Sequence, residues 1–140
     1  MKKRIKVVLL SALLAFTGVW TVPAKAAEVP DERLLPRLTD EADLLTDEEE
    51  ELLLKQLDEI SERQNCDVVV AAVDGLDGKS AMEYADDFYD YNGYGMGNER
   101  DGIILLVSME ERDWWISTCG FGITAFTDDG LDYILSLIHI

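Results

Sequence analysis

The chain has 140 residues, enough for one domain with a modest core. Twelve Lys and Arg stand against 29 Asp and Glu, a formal charge of −17. A field of that sign repels nucleic acid and anionic membrane surfaces and draws cations, so a nucleic-acid partner is excluded.

The first 26 residues read as a secretory signal. Lys2, Lys3, Arg4 and Lys6 form the basic end, Val7 to Trp20 the apolar stretch, and Ala24-Lys25-Ala26 the cleavage site. Fourteen apolar-dominated residues fall short of the roughly 20 that a membrane span needs. The protein is therefore expected to be exported and extracytoplasmic, at the cell surface or tethered to the membrane. From Ala27 onward seven basic residues face 29 acidic ones, a charge of −22.

Residues 27–37, with Pro30 and Pro36, read as a mobile linker ahead of a domain at 38–134. Thr46 and Glu49 then form a capping box, and Asp47 to Glu51 face the positive end of the helix they open. Leu53, Leu57, Ile60 and Gln64, with Leu54 beside them, make the stripe that packs onto a sheet. This acid run is a helix start. Contiguous carboxylates point around the helix and do not converge on one ion.

Asp67 to Val73 is a continuous apolar run with β-branched bias, which suits a strand covered on both faces. Gly75 and Gly78 turn the chain. Ser80 and Glu83 cap a second helix whose stripe is Met82, Ala85 and Phe88 or Tyr89. The loop Gly93-Tyr94-Gly95-Met96-Gly97-Asn98-Glu99-Arg100-Asp101 reads as flexible backbone leading into the strand Gly102–Val107. Strand, helix, strand implies a right-handed crossover and a parallel pair. Glu110-Glu111-Arg112 turns into an antiparallel strand, Asp113 to Thr118, in which one of Trp114 and Trp115 should enter the core. The fold class is α/β, a helix-covered mixed sheet of two or three layers, truncated at its C-terminus.

This order sorts the acidic residues onto two edges. Asp74, Asp77, Glu110, Glu111 and Asp113 share one. Asp101, Gly120, Gly122, Asp128 and Asp129 share the other with the glycine loop, where carboxylates and mobile backbone meet a new helix start. That second edge is the preferred ligand site. Calcium takes carboxylate and carbonyl oxygens from irregular loops, so Asp101, Asp128 and Asp129 are its expected ligands. The catalytic residues are unknown. Asp74 and Asp77 are spaced by three and followed by Gly78, which fails as an aspartate-nucleophile phosphatase signature. Cys119 is followed by no arginine of a cysteine-phosphatase loop. Cys66 and Cys119 stand at strand ends and could pair only if those strands are neighbours.

Leu135-Ser136-Leu137-Ile138-His139-Ile140 resembles the translation of a sequencing-library adapter, which would make 135–140 a scar and remove the only histidine, His139. Upstream, six features fall in one order: Leu38-Thr39-Asp40-Glu41-Ala42-Asp43-Leu44-Leu45, Asp67 to Val73, Gly93 with Gly95, Asp101-Gly102, Asp113, and Gly120-x-Gly122 followed by Asp128. Together they resemble the TPM domain, the thylakoid lumen acid phosphatase-like family found also in bacterial envelope proteins. Asp101 stands where that family usually has asparagine. The resemblance implies a TPM-type α/β sandwich, an association with calcium and with acid phosphatase activity, and in bacterial members a following membrane helix and glycine-rich tail. The expected function is an envelope binding or assembly module with an envelope protein partner, membrane-associated through a missing C-terminal segment. The alternatives are an acid phosphatase acting on phosphate esters, and a structural domain that positions the membrane segment.

Overall fold

A computed structural model describes residues 28–138, with side chains through Tyr133. The stretch read as a secretory signal, residues 1–26, lies outside the described residues. So do the last two residues of the C-terminal hexapeptide and all of its side chains.

The elements run β1 (Leu38–Asp40), α1 (Asp47–Gln64), β2 (Asp67–Val73), α2 (Ala81–Tyr91), β3 (Gly102–Ser108), β4 (Asp113–Cys119), α3 (Gly122–Ala125) and α4 (Asp128–Ile138). The four strands form one mixed sheet in the order β1-β2-β3-β4. β1 and β3 both lie parallel to β2, with Leu38 opposite Val70 and Asp67 opposite Gly102, while β4 is antiparallel to β3. The three expected strands are present with the expected directions. β1 is an addition: a strand of three residues carries too little pattern to be read from sequence.

Both helices start where their capping boxes lie. Thr46 Oγ1 accepts from Glu49 N at 3.4 Å and Thr46 N donates to Glu49 Oε2 at 3.0 Å. Ser80 and Glu83 repeat the exchange at 3.2 and 3.1 Å. α1 ends at Asn65, whose left-handed φ of 51° lets its N–H reach back to the last turn.

The main core lies between α2 and one sheet face. Val69, Ala71 and Val73 of β2 and Ile104 and Leu106 of β3 meet Ala81, Ala85 and Tyr89 of α2, with Tyr94 and Leu76 closing the ends. The residue at each i, i+2 step faces α2, as a period of two requires. Met82, expected in that stripe, is exposed. α1 packs on β1 and β2 through Leu57 and Ser61, and Ser61 Oγ accepts from Val68 N at 2.9 Å. Ile60 and Gln64 of its expected stripe are exposed, because the contact is narrow and polar at its C-terminal end.

Two further expectations are corrected, and the open question of the cysteines is answered. The stretch read as a mobile linker is tied to the domain: Leu34 N donates to Asn92 O at 2.8 Å, Leu35 packs on the core, and Arg37 is buried. Trp114 and Trp115 point to opposite sides of β4, yet both stay exposed, at 43% and 41%. Among the described residues, α2 and α3 cover β4 only in part, so both rings keep solvent contact. Cys66 and Cys119 are both free: Cys119 ends β4, Cys66 immediately precedes β2, and β3 lies between those strands.

Candidate functional site

The glycine loop crosses the end of the sheet where β2 and β3 begin. It is pinned at several points. Met96 and Asp101 exchange backbone hydrogen bonds at 3.1 and 2.9 Å. Gly95 N donates to Asp67 Oδ2 at 2.7 Å, and Tyr94 is fully buried with its hydroxyl on Pro36 O at 2.6 Å. Burial pushes the Tyr94 phenol up to about 12. Arg100 Nη2 donates to Tyr94 O at 2.5 Å and its guanidinium lies 5.9 Å from the Tyr89 ring centre. Backbone expected to be slack is held by these bonds, because a buried tyrosine and a buried aspartate both need their polar atoms satisfied.

Asp101 closes this loop. Its Oδ1 accepts from Phe121 N at 2.5 Å, which ties the start of β3 to the turn after β4. Gly120 sits between them at φ +58°. A Cβ there would collide with both the Asp101 carboxylate and the Glu99 carbonyl oxygen, so glycine is required twice over. The two edges expected for the acidic residues are separate. Glu111, at the far edge, accepts from Leu76 N at 3.2 Å and from the Ser108 hydroxyl. Asp128 and Asp129 are exposed in the first turn of α4. Among the described residues, no three acidic, histidine or cysteine side chains stand close enough together to hold a metal ion, so Asp101 is not gathered into a cluster with Asp128 and Asp129.

Beside Asp101 the structure opens a cleft that sequence reading missed. α2 leans over β4, and Asp86, Tyr89 and Asp90 face Ser117, Thr118 and Cys119 across about 240 Å³. Ser117 Oγ donates to Asp86 Oδ1 at 2.5 Å, and Arg100 approaches Asp90 at 3.7 Å. Burial, then the Asp90 charge, pushes the Cys119 thiol up, so it is held protonated as a neutral wall. Asp86 and Asp90 are four apart on a helix and Ser117 and Cys119 two apart on a strand. Those spacings are visible in sequence; the lean of α2 over β4 that pairs them is not.

The volume is small beside the roughly 300–1,000 Å³ of small-molecule pockets. It suits an ion or a side chain.

The fold and this site define a one-sheet α/β domain with an acidic cleft between α2 and β4. The TPM domain matches residues 38–138, and the chain belongs to that family. Its fold is also similar to that of the N-terminal domain of a protein from P. gingivalis solved in solution, with TM-score 0.62 and 24% identity over 77% of this chain and 71% of that one. No curated protein matches the chain.

Proposed function

We propose that this TPM domain is an exported binding or assembly module of the cell envelope, whose acidic edge holds calcium at the Asp101 corner. The observation that carries the binding reading is the concentration of acidic oxygens at one end of the sheet. Asp86 and Asp90 line a cleft too small for most metabolites, Asp101 and the Glu99 carbonyl crowd Gly120 beside it, and Arg100 is the cation that approaches them. Carboxylate and carbonyl oxygens are the donors that calcium takes. Asp128 and Asp129, which are not clustered with Asp101 in this structure, would have to close on it when the ion binds in order to serve as further donors. Tethering to a membrane through a segment beyond this chain fits such a role, and among the described residues no helix is long and apolar enough to cross a membrane.

Calorimetric titration with calcium tests this, first on the unaltered domain, then on Asp101→Asn and on Asp128→Asn with Asp129→Asn. Binding weakened about tenfold or more by each change is expected, a loss of about 1.4 kcal/mol. Binding that survives both, or no binding in the unaltered domain, overturns the calcium site. Hydrolysis of a phosphate ester at acid pH that is lost in Asp101→Asn would favour the phosphatase alternative instead.

A further inference from the structure

The sheet has two edges, and the chain treats them differently. β1 is three residues long, a short edge that offers little to an incoming strand. β4 is seven residues long, and its run Trp114-Trp115-Ile116-Ser117-Thr118-Cys119 contains no lysine, no proline and no charge. Beyond Asp113 at its start, this strand carries none of the sequence features that blunt a sheet edge.

The free polar groups of that edge can be assigned. Trp114 N donates to the Asp113 side chain at 2.9 Å, so Trp114 turns its backbone away from β3. Alternation in an antiparallel pair then turns Ile116 and Thr118 outward as well. Among the described residues, neither makes a backbone hydrogen bond outside the β3 pairing.

The same alternation points Trp115, Ser117 and Cys119 toward α2, opposite Leu106, Ile104 and Gly102. There Asp86 meets Ser117, and Asp90 lines the cleft with Cys119. Residues four apart on a helix rise about 6 Å, and residues two apart on a strand advance about 6.7 Å. Two carboxylates are thus spaced like alternate side chains of a strand. One helical turn before Asp86 lies exposed Met82, and two residues before Ser117 lies exposed Trp115, an apolar step in the same series.

We propose that the free edge of β4 is a docking site for an extended basic segment of a partner protein, which adds to the sheet as a fifth strand. The added strand hydrogen-bonds to Ile116 and Thr118. Its side chains on the α2 side run apolar at Trp115 and Met82, then Lys or Arg at Asp86, then Lys or Arg at Asp90, one at every second residue. Charge selects this occupant. A second copy would bring its own acid-walled edge against this one at a net −17 each, whereas a basic strand meets two carboxylates faced by one partly exposed arginine. Main-chain bonds supply the affinity and alternate side chains the specificity, the usual division in strand addition. The inference rests on the binding-module reading but not on calcium.

The test is titration of the protein, in chelator, with peptides of about eight residues, the length of an ordinary strand. One peptide alternates threonine with the series valine, lysine, lysine. A second runs the series in reverse, because the strand can add in either direction. Control peptides replace lysine by glutamate, or carry N-methyl groups on alternate amides. Expected are binding of one lysine peptide with a shift in tryptophan emission, about tenfold or greater loss on N-methylation of the amides that face β4, and a similar loss in Asp86→Asn with Asp90→Asn. Absence of binding by both lysine peptides overturns the proposal, as does equal binding of either control, or binding indifferent to Asp86 and Asp90. Sedimentation supplies one more outcome: a dimer of the unaltered protein that Ile116→Pro abolishes would make a second copy the occupant and overturn the basic partner. Calcium binding is absent from every arm, so failure of the calcium site leaves this result readable, and the reverse holds.

Discussion

Arg37 Nε donates to Asp67 Oδ1 at 2.6 Å, with the two residues only 7% and 3% exposed. Arg37 also holds Asp58 of α1 at 2.6 Å, and the second oxygen of Asp67 accepts from Gly95 N at 2.7 Å. One buried pair therefore joins the leader, the first helix, the second strand and the glycine loop.

Removing one partner should leave the other only partly compensated, Arg37 by Asp58 and Asp67 by Gly95 N and by Arg33 at 3.8 Å. Asp67→Asn and Arg37→Met are each expected to cost about 1–3 kcal/mol in denaturant unfolding. Replacing both with apolar residues should cost less than the two single losses added together, since the partners act as a unit. Additive losses would show that the ion pair contributes nothing beyond local packing.

Gly102 begins β3 against the Tyr89 hydroxyl. A Cβ at Gly102 would overlap that oxygen and lie 2.9 Å from the Asp67 carbonyl oxygen. Gly102→Ala should destabilise the domain by about 1–3 kcal/mol, the range for an overfilled site. Adding Tyr89→Phe removes the oxygen but not the ring, and should restore part of the loss in thermal unfolding. A lone Gly102→Ala that leaves the midpoint unchanged would contradict the close approach.

The capping carboxylates give a pH signature. Hydrogen bonds from Thr46 hold Glu49 below the ordinary glutamate range, bonds from Ser80 do the same for Glu83, and the Ser108 hydroxyl, then Leu76 N, for Glu111. A group lowered in the folded state contributes its stability above the unfolded value of about 4.3, and loses it as pH falls through the folded value. Glu83→Gln should therefore be less stable than the parent near neutral pH, with the difference closing as acid protonates the parent. Comparing the two proteins cancels the opposing effect of acid on the net negative charge, which relieves self-repulsion in both. A gap that stays constant from neutral to acid pH would remove Glu83 from the cap.

Sequence alone determined what depends on neighbours along the chain. The boxes Thr46–Glu49 and Ser80–Glu83 close over three residues, and the apolar runs at β2 and β3 are short and continuous, as suits a strand covered on both faces. Those local signals, with the order of glycines and aspartates from Asp67 to Gly122, were enough for the parallel and antiparallel pairings and for the family. Tertiary structure decided what depends on partners far apart in the chain. β1 exists because Leu38 to Asp40 finds an open edge beside Val70 to Ala72, and Arg37 is fixed because Asp67, thirty positions on, is buried with it. Trp114 and Trp115 stay exposed because the described helices cover β4 only in part, a fact about layer packing that alternation cannot express. The cleft of Asp86, Asp90, Ser117 and Cys119 likewise needs α2 to lean over β4. That angle is set by the packing of Ala81, Ala85 and Tyr89 on the sheet, and packing is a property of volumes in three dimensions.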